Sequence, residues 1–209
     1  MDRNLFIDYD GTLIDSRRRQ YELFVELAGN VDISLKQYWY DKRKGMKQSD
    51  MLKKYLNFTT EEISDFSSLW MKSIEDSERL KADELIAGVP EFLDGVKRHF
   101  NLHLVTGRQN HEFLIRQMQA LEVYGYFASI LNTAQCISKS NLICAHVKVG
   151  KEDVIIGDSE EDVLAGKELK IYTVAVTSGA TSYEKLKELT PNLILESVAE
   201  CDLLALNVC

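Results

Sequence analysis

Two aspartates one residue apart, Asp8 and Asp10, close a short apolar run in Leu5-Phe6-Ile7-Asp8-Tyr9-Asp10-Gly11-Thr12. Carboxylates this close repel unless a cation sits between them or one keeps a proton, and either arrangement serves catalysis. Taken alone, an acidic turn pivoting on Gly11 explains the same residues equally well. A second acidic pair, Asp158 and Asp162, follows the apolar run Val154-Ile155-Ile156-Gly157. Carboxylates behind a buried strand suit Mg2+, a hard cation that takes oxygen ligands. Helix capping and first-turn acids are the structural alternative. That alternative has more weight for Glu160 and Glu161; ligation has more for Asp158, directly after the strand. Leu104-Val105-Thr106-Gly107-Arg108 puts a hydroxyl and turn amides behind a strand, and Ser138-Lys139-Ser140 puts a cation at the start of a helical stretch over 141–145. A phosphoryl group needs such donors on its equatorial oxygens. In isolation, Thr106 reads as a helix cap and Lys139 as a solvated lysine.

The elements that must position these groups are legible as short apolar runs at 4–7, 102–105, 129–131, 154–156, 172–176 and 193–195. Between most of them lie stretches of helical periodicity, such as 92–100, 112–121 and 161–169. Strands of continuous apolar character alternating with helices predict an α/β fold, a parallel sheet covered on both faces. At the carboxyl end of such strands, side chains point into the crevice where these sheets bind ligands. From Ser16 to about Ala87 the rhythm changes and no convincing strand is found. Tyr21, Phe24, Val25 and Ala28 recur at helical spacing, as do Ile63, Phe66, Leu69, Trp70 and Ile74. Thr59 is the expected cap of a helix with Glu62 at its third position. Gly88-Val89-Pro90 marks the return to the α/β pattern. The expected organisation is a core domain from 1–15 and 88–209, interrupted by an α-helical domain over 16–87, an insertion too long for a simple loop.

Composition narrows the class. With 45% hydrophobic and 28% charged residues among 209, a packed globular protein is expected, not a disordered one. The net charge of −8 argues against general affinity for nucleic acid or anionic membrane. An anionic substrate stays compatible, because a local cation inverts the field of a site. No charged segment followed by a long apolar stretch opens the chain, and no apolar run approaches the ~18 residues of a membrane span. Cys136, Cys144, Cys201 and Cys209 have no paired C-x-x-C spacing, so reduced thiols in a cytoplasmic protein are expected, not a disulfide or zinc site. His99, His103, His111 and His146 match no ligand spacing.

The Asp-x-Asp-Gly-Thr, the Thr after a strand, the Lys and the Gly-Asp-x-x-x-Asp resemble, in their order, the motifs of the haloacid dehalogenase-like superfamily. The helical insertion directly after the first motif is similar to that of its small-cap subclass, which contains phosphoglycolate phosphatase-like enzymes and β-phosphoglucomutase. The resemblance covers essentially the whole chain; its first and last motifs are specific, and the middle two rest on position. It implies a Rossmann-like core with a helical cap, and a Mg2+-dependent phosphatase acting on a small phosphorylated metabolite. Asp8 would attack phosphorus to form an aspartyl phosphate, and Asp10 would protonate the leaving oxygen and then activate water. The ion would be held by the Asp8 carboxylate, the Asp10 backbone carbonyl and Asp158, with Asp162 a further ligand or a support. Thr106, the Gly107 amide and Lys139 would hold the phosphoryl group.

Departures from the pattern bear on three positions. Lys139 is followed by Ser140 where many relatives carry proline. Thr106-Gly107-Arg108 replaces the commoner Thr-Asn or Ser-Asn, so Arg108 becomes a candidate substrate contact, with an exposed arginine at a helix start as the weightier alternative. Arg43-Lys44-Gly45-Met46-Lys47-Gln48 resembles the cap loop that faces the active site in these relatives, which makes Lys47 or Gln48 a candidate substrate contact and a solvated basic turn the alternative. Arg17-Arg18-Arg19 puts cations in a first helical turn, against the dipole; ordinary solvated charge is favoured there over an anion site. A phosphosugar mutase keeps both acids and is the main alternative. A 2-haloacid dehalogenase does not need Asp10, and an inactive binding module would not need to keep Asp8, Asp10 and Asp158 together. The expected partner is the metabolite alone, with neither nucleic acid nor membrane, in a monomer or homodimer.

Overall fold

The computed structural model describes residues 3–29 and 31–203, and Cys209 lies outside them. Two compact units result, one built from residues up to Asp15 and from Glu84 onward, the other from Ser16 to Asp83.

The first unit opens with β1 (Asn4–Ile7) and the two-residue strand β2 (Ile14–Asp15). The chain then enters the second unit through α1 (Arg17–Leu27), α2 (Leu35–Arg43), α3 (Gln48–Leu56), α4 (Thr60–Ser73) and the single turn α5 (Ser77–Leu80). Its core is aromatic: the Phe24 ring lies 4.9 Å from that of Tyr38 and 5.7 Å from that of Phe66. Thr59 caps α4 in a full capping box with Glu62, two otherwise orphaned amides being satisfied reciprocally. Leu69, on the apolar spacing of α4, is nevertheless exposed. The arginine run divides by environment: Arg19 is buried in an ion pair with Asp83 at 2.9 Å and donates to the Ile74 carbonyl, while Arg18 pairs with Glu22 in solvent.

Back in the first unit, β3 (Glu84–Leu85) pairs antiparallel with β2, Ile14 opposite Leu85. This strand lies within the stretch expected to hold none, and it moves the return to the core from 88 to 84. Two residues are too few to show a period, and their partner lies some 70 positions earlier in the chain. There follow α6 (Val89–Val96), β4 (Asn101–Thr106), α7 (His111–Ala120), β5 (Ser129–Asn132), α8 (Lys139–His146), β6 (Val154–Gly157), α9 (Glu160–Leu169), β7 (Tyr172–Val176), α10 (Tyr183–Glu188) and β8 (Leu193–Leu195).

Six of these strands form one sheet in the order β5-β4-β1-β6-β7-β8, every neighbouring pair parallel. Alternate residues serve opposite faces. Leu5 and Ile7 join Val89, Leu93, Leu104 and Leu114 in one apolar layer; Phe6 joins Ile143, Ile155 and Ala165 in the other. The predicted α/β fold with a doubly covered parallel sheet is therefore present. The chain runs outward from β1 to β4 and β5, then returns to β6 on the other side. That reversal opens a crevice beyond the carboxyl ends of β1 and β6, the place where open α/β sheets bind ligands. At the opposite end of the sheet, buried His103 lies between Asn4 and Ser129 and stacks on Phe6, a structural setting. Cys136, Cys144 and Cys201 are free thiols. Among the described residues, no helix is long and apolar enough to cross a membrane.

Candidate active site

Asp8 is the first residue past β1, and its amide extends the ladder by donating to the Ile156 carbonyl at 2.9 Å. The next residues turn sharply: the Leu13 and Ile14 amides both donate to the Tyr9 carbonyl, and the Gly11 amide donates to the Ile14 carbonyl. Gly11 has φ +85°, and a Cβ there would lie 2.8 Å from an Asp158 carboxylate oxygen and from the Gly179 Cα. Both the backbone and the crowding require glycine. The turn carries the Thr12 hydroxyl back to Asp8 Oδ2 at 3.3 Å.

Lys139, first residue of α8 behind the Ser138 cap, is buried and donates to Asp8 Oδ1 and Asp162 Oδ1, each at 2.6 Å. It is not a surface lysine, and Ser140 in place of proline leaves α8 correctly started, its hydroxyl directed to Ser138 and Glu168. Asp162 is the third residue of α9. Its Oδ2 accepts from the Ser159 amide at 3.1 Å and hydroxyl at 2.5 Å, so one carboxylate caps the helix and anchors Lys139. Asp158, at the end of β6, accepts the Ala180 amide at 2.6 Å. Glu160 and Glu161 are exposed first-turn acids, as the helix-start reading expects.

One carboxylate oxygen from each of Asp8, Asp158 and Asp162 lies within 4.8 Å of the others, all three residues buried. Burial raises the Asp8 pKa well above its ordinary value, with Lys139 opposing and Asp162 and Asp158 adding to the rise. Burial, with the charge of Asp162 next in size, pushes Asp158 up to about 7. Burial works against the Lys139 charge, but Asp162 and Asp8 outweigh it and hold the ammonium above its usual pKa. Three buried carboxylates thus face one buried ammonium, a set whose charge an added cation would balance.

Thr106, buried at the end of β4, accepts the Arg108 amide on its hydroxyl at 3.3 Å. It does not cap α7; Asn110 does, accepting from the Phe113 amide. Gly107 lines an open groove with Gln135, Cys136, Ile137 and Ser138. Arg108 is not the exposed helix-start residue that the spacing favoured. Its side chain is 4% exposed and grips Asp10, Nε to Oδ2 at 2.5 Å and Nη2 to Oδ1 at 2.9 Å. The site therefore brings together Asp8, Asp10, Thr106, Gly107, Arg108, Lys139, Asp158 and Asp162, at the ends of the neighbouring strands β4, β1 and β6 and the starts of α8 and α9 in one unit. Lys47 belongs to the helical unit, where it is exposed at the amino end of α3.

Three contributors escaped the sequence reading. Gln117 accepts from Arg108 Nη2 at 3.3 Å, and nothing in its helical surroundings signals that. Ser159 is the cap that shares Asp162. The Ser178-Gly179-Ala180 loop, behind β7, sends the Ser178 hydroxyl to the Gly11 carbonyl at 2.6 Å and the Ala180 amide to Asp158. A run of small residues past a strand was the available signal.

Comparisons with known proteins agree with this fold. Solved structures superpose over nearly the full length. A haloacid dehalogenase-like family hydrolase from Streptococcus pneumoniae gives a TM-score of 0.78 at 20% identity, covering 98% of this chain and 97% of its own. A protein assigned as a phosphoglycolate phosphatase from Haemophilus somnus gives 0.76 at 18%, covering 98% and 97%. One assigned as a β-phosphoglucomutase from Thermotoga maritima gives 0.70 at 17%, covering 99% and 100%. No curated protein sequence matches the chain. At these identities the structures speak for the fold. The sequence model described as haloacid dehalogenase-like hydrolase matches residues 5–176, most of the chain and every strand end of the site through Asp162, and the chain belongs to that family.

Proposed function

We propose that the chain is a Mg2+-dependent phosphatase that hydrolyses a small phosphorylated metabolite through an aspartyl phosphate on Asp8. The observation that supports this most is Asp8 itself: a buried carboxylate at a sheet switch point, oriented by Lys139 and Thr12, with Asp158 close by and Asp10 two residues on.

The donor set fits a hard divalent ion, since buried oxygen ligands carry more negative charge than Lys139 balances. The Asp8 and Asp158 carboxylates and the Asp10 carbonyl would hold it. Asp162, with its oxygens on Lys139 and Ser159, serves to fix Lys139. When bound, the ion would screen the approach of two anions and polarise the phosphoryl oxygens.

Thr106, the Gly107 amide and Lys139 bind the phosphoryl oxygens and spread the charge that develops on them. An Asp8 oxygen forms the bond to phosphorus as the ester oxygen leaves, taking its proton from Asp10. In the second half, a water gives a proton to Asp10 and its oxygen attacks phosphorus. Phosphate leaves, and the Asp8 carboxylate is restored.

Hydrolysis of p-nitrophenyl phosphate with Mg2+, with chelator and in Asp8→Asn tests the reading. Turnover is expected to need the ion and to fall by more than about a thousandfold without the nucleophile. Turnover indifferent to chelator, or kept in Asp8→Asn, refutes it. Interconversion of sugar phosphates with little free phosphate would assign the same chemistry to a mutase.

A further inference from the structure

We propose that Arg108 is a positioning residue for Asp10: it acts on catalysis through the Asp10 carboxylate and not by touching substrate. The inference rests on the phosphatase reading of the site and concerns a residue for which that reading has no role.

The pair is asymmetric. Arg108 is 4% exposed in its side chain and Asp10 26%, so the arginine is the fixed partner and the aspartate the one that faces the crevice. Arg108 is secured at several points. Its amide is on the Thr106 hydroxyl, its Nη2 on Gln117 Oε1, and its guanidinium lies 5.5 Å from the centre of the buried Tyr9 ring. A planar guanidinium so held meets both Asp10 oxygens at 2.5 and 2.9 Å, which fixes the plane of the carboxylate as well as its position. Lysine could offer a charge at that place but not the two-point grip.

Tyr9 is buried in the core beneath the turn and Gly11 is fixed by crowding, so the Asp10 main chain is set and the two-point grip of Arg108 bears on the plane of its carboxylate. A proton donor must lie within hydrogen-bond reach of the leaving oxygen, so orientation of Asp10 governs steps that use it. In the half-reaction that phosphorylates Asp8, Asp10 matters most when the leaving alkoxide is poor and least when it is p-nitrophenolate, and Arg108 must inherit that dependence there.

The test compares glycerol phosphate with p-nitrophenyl phosphate in wild type, Arg108→Met, Arg108→Lys, Asp10→Asn and the Asp10→Asn/Arg108→Met double variant, all with Mg2+. Arg108→Met is expected to lower kcat on glycerol phosphate by at least about tenfold, part of the ~100- to 10,000-fold that a positioned acid–base group contributes. The initial burst of p-nitrophenolate should fall at least about tenfold less, and KM should move less than the kcat. Arg108→Lys should lie between wild type and Arg108→Met. The double variant should be no slower than Asp10→Asn, the non-additivity of two residues acting as one unit. Losses that multiply in the double variant, or a rise confined to KM, would overturn the proposal in favour of direct substrate contact. Equal losses in the first-turnover release of glycerol and of p-nitrophenolate, or a chain that folds with no residue but arginine at 108, would overturn it in favour of a structural role. Wild type inactive on both esters, or Asp8→Asn fully active, would instead strike the phosphatase reading itself.

Discussion

Asp158 lies where burial and the neighbouring Asp162 charge hold a carboxyl protonated up to about pH 7, and Asp8 is shifted in the same direction. A raised carboxyl binds more protons in the folded chain than in the unfolded one between the ordinary carboxylate range and about 7. Without metal, stability contributed by these groups is present at low pH and is lost as the pH rises through that window. A bound cation favours the ionised form, so the proton and Mg2+ compete. Titration calorimetry should find Mg2+ affinity weakening below about pH 7, by roughly tenfold per pH unit for each proton displaced, with proton release on binding. Affinity flat across that range would mean that the ion is not held by these carboxylates. At the residue scale the acids were legible because the sequence prints them directly behind apolar runs. Lys139 was legible by position but not by environment: its burial depends on Asp8 and Asp162, which lie 131 and 23 positions away. Arg108 was misjudged for the same reason, because its partner Asp10 is 98 positions distant and no local pattern reports the pair.

Elements place these residues through their ends. All six sheet strands were visible as apolar runs, since burial on both faces leaves little polar residue in them. The β2–β3 pair was not, being two residues a side, and neither was the loop behind β7 that braces two other strand ends. That loop makes a specific prediction. At Gly179 an added Cβ would overlap the Asp158 carboxylate. Gly179→Ala should therefore displace Asp158 and weaken Mg2+ binding by about 10- to 100-fold, the usual cost of disturbing the support of a metal ligand. Unchanged Mg2+ affinity in a folded Gly179→Ala would show that the loop is incidental to the site. In the helical unit, Thr59→Ala removes the hydroxyl of a complete capping box and should cost about 1 kcal/mol. Faster amide hydrogen exchange at the start of α4 would report it, and the active-site helices should be unaffected.

At the scale of the molecule, a chain of net charge −8 gathers three buried carboxylates, Asp8, Asp158 and Asp162, beyond the carboxyl ends of two central strands and sets a buried lysine and arginine beside them. The fold explains why: a parallel sheet that reverses its winding at β1 brings the ends of β1, β4 and β6 and the start of α8 to one crevice. The sequence order of Asp8, Thr106, Lys139 and Asp158 is the order in which the chain visits that crevice, which is why the motifs were readable without a structure. The helical unit was recognisable by its change of rhythm, while its boundary at Asp83 depended on a strand pair too short to see. The central claim is that Asp8 makes the bond to phosphorus. Acid quenching of the Mg2+-loaded enzyme during turnover of p-nitrophenyl phosphate, followed by peptide mass spectrometry, tests it directly. The account predicts a phosphate adduct on the peptide carrying Asp8, enriched in Asp10→Asn, where water is activated slowly, and absent from Asp8→Asn. Sustained turnover with no adduct at Asp8, or with the adduct on another residue, would contradict it.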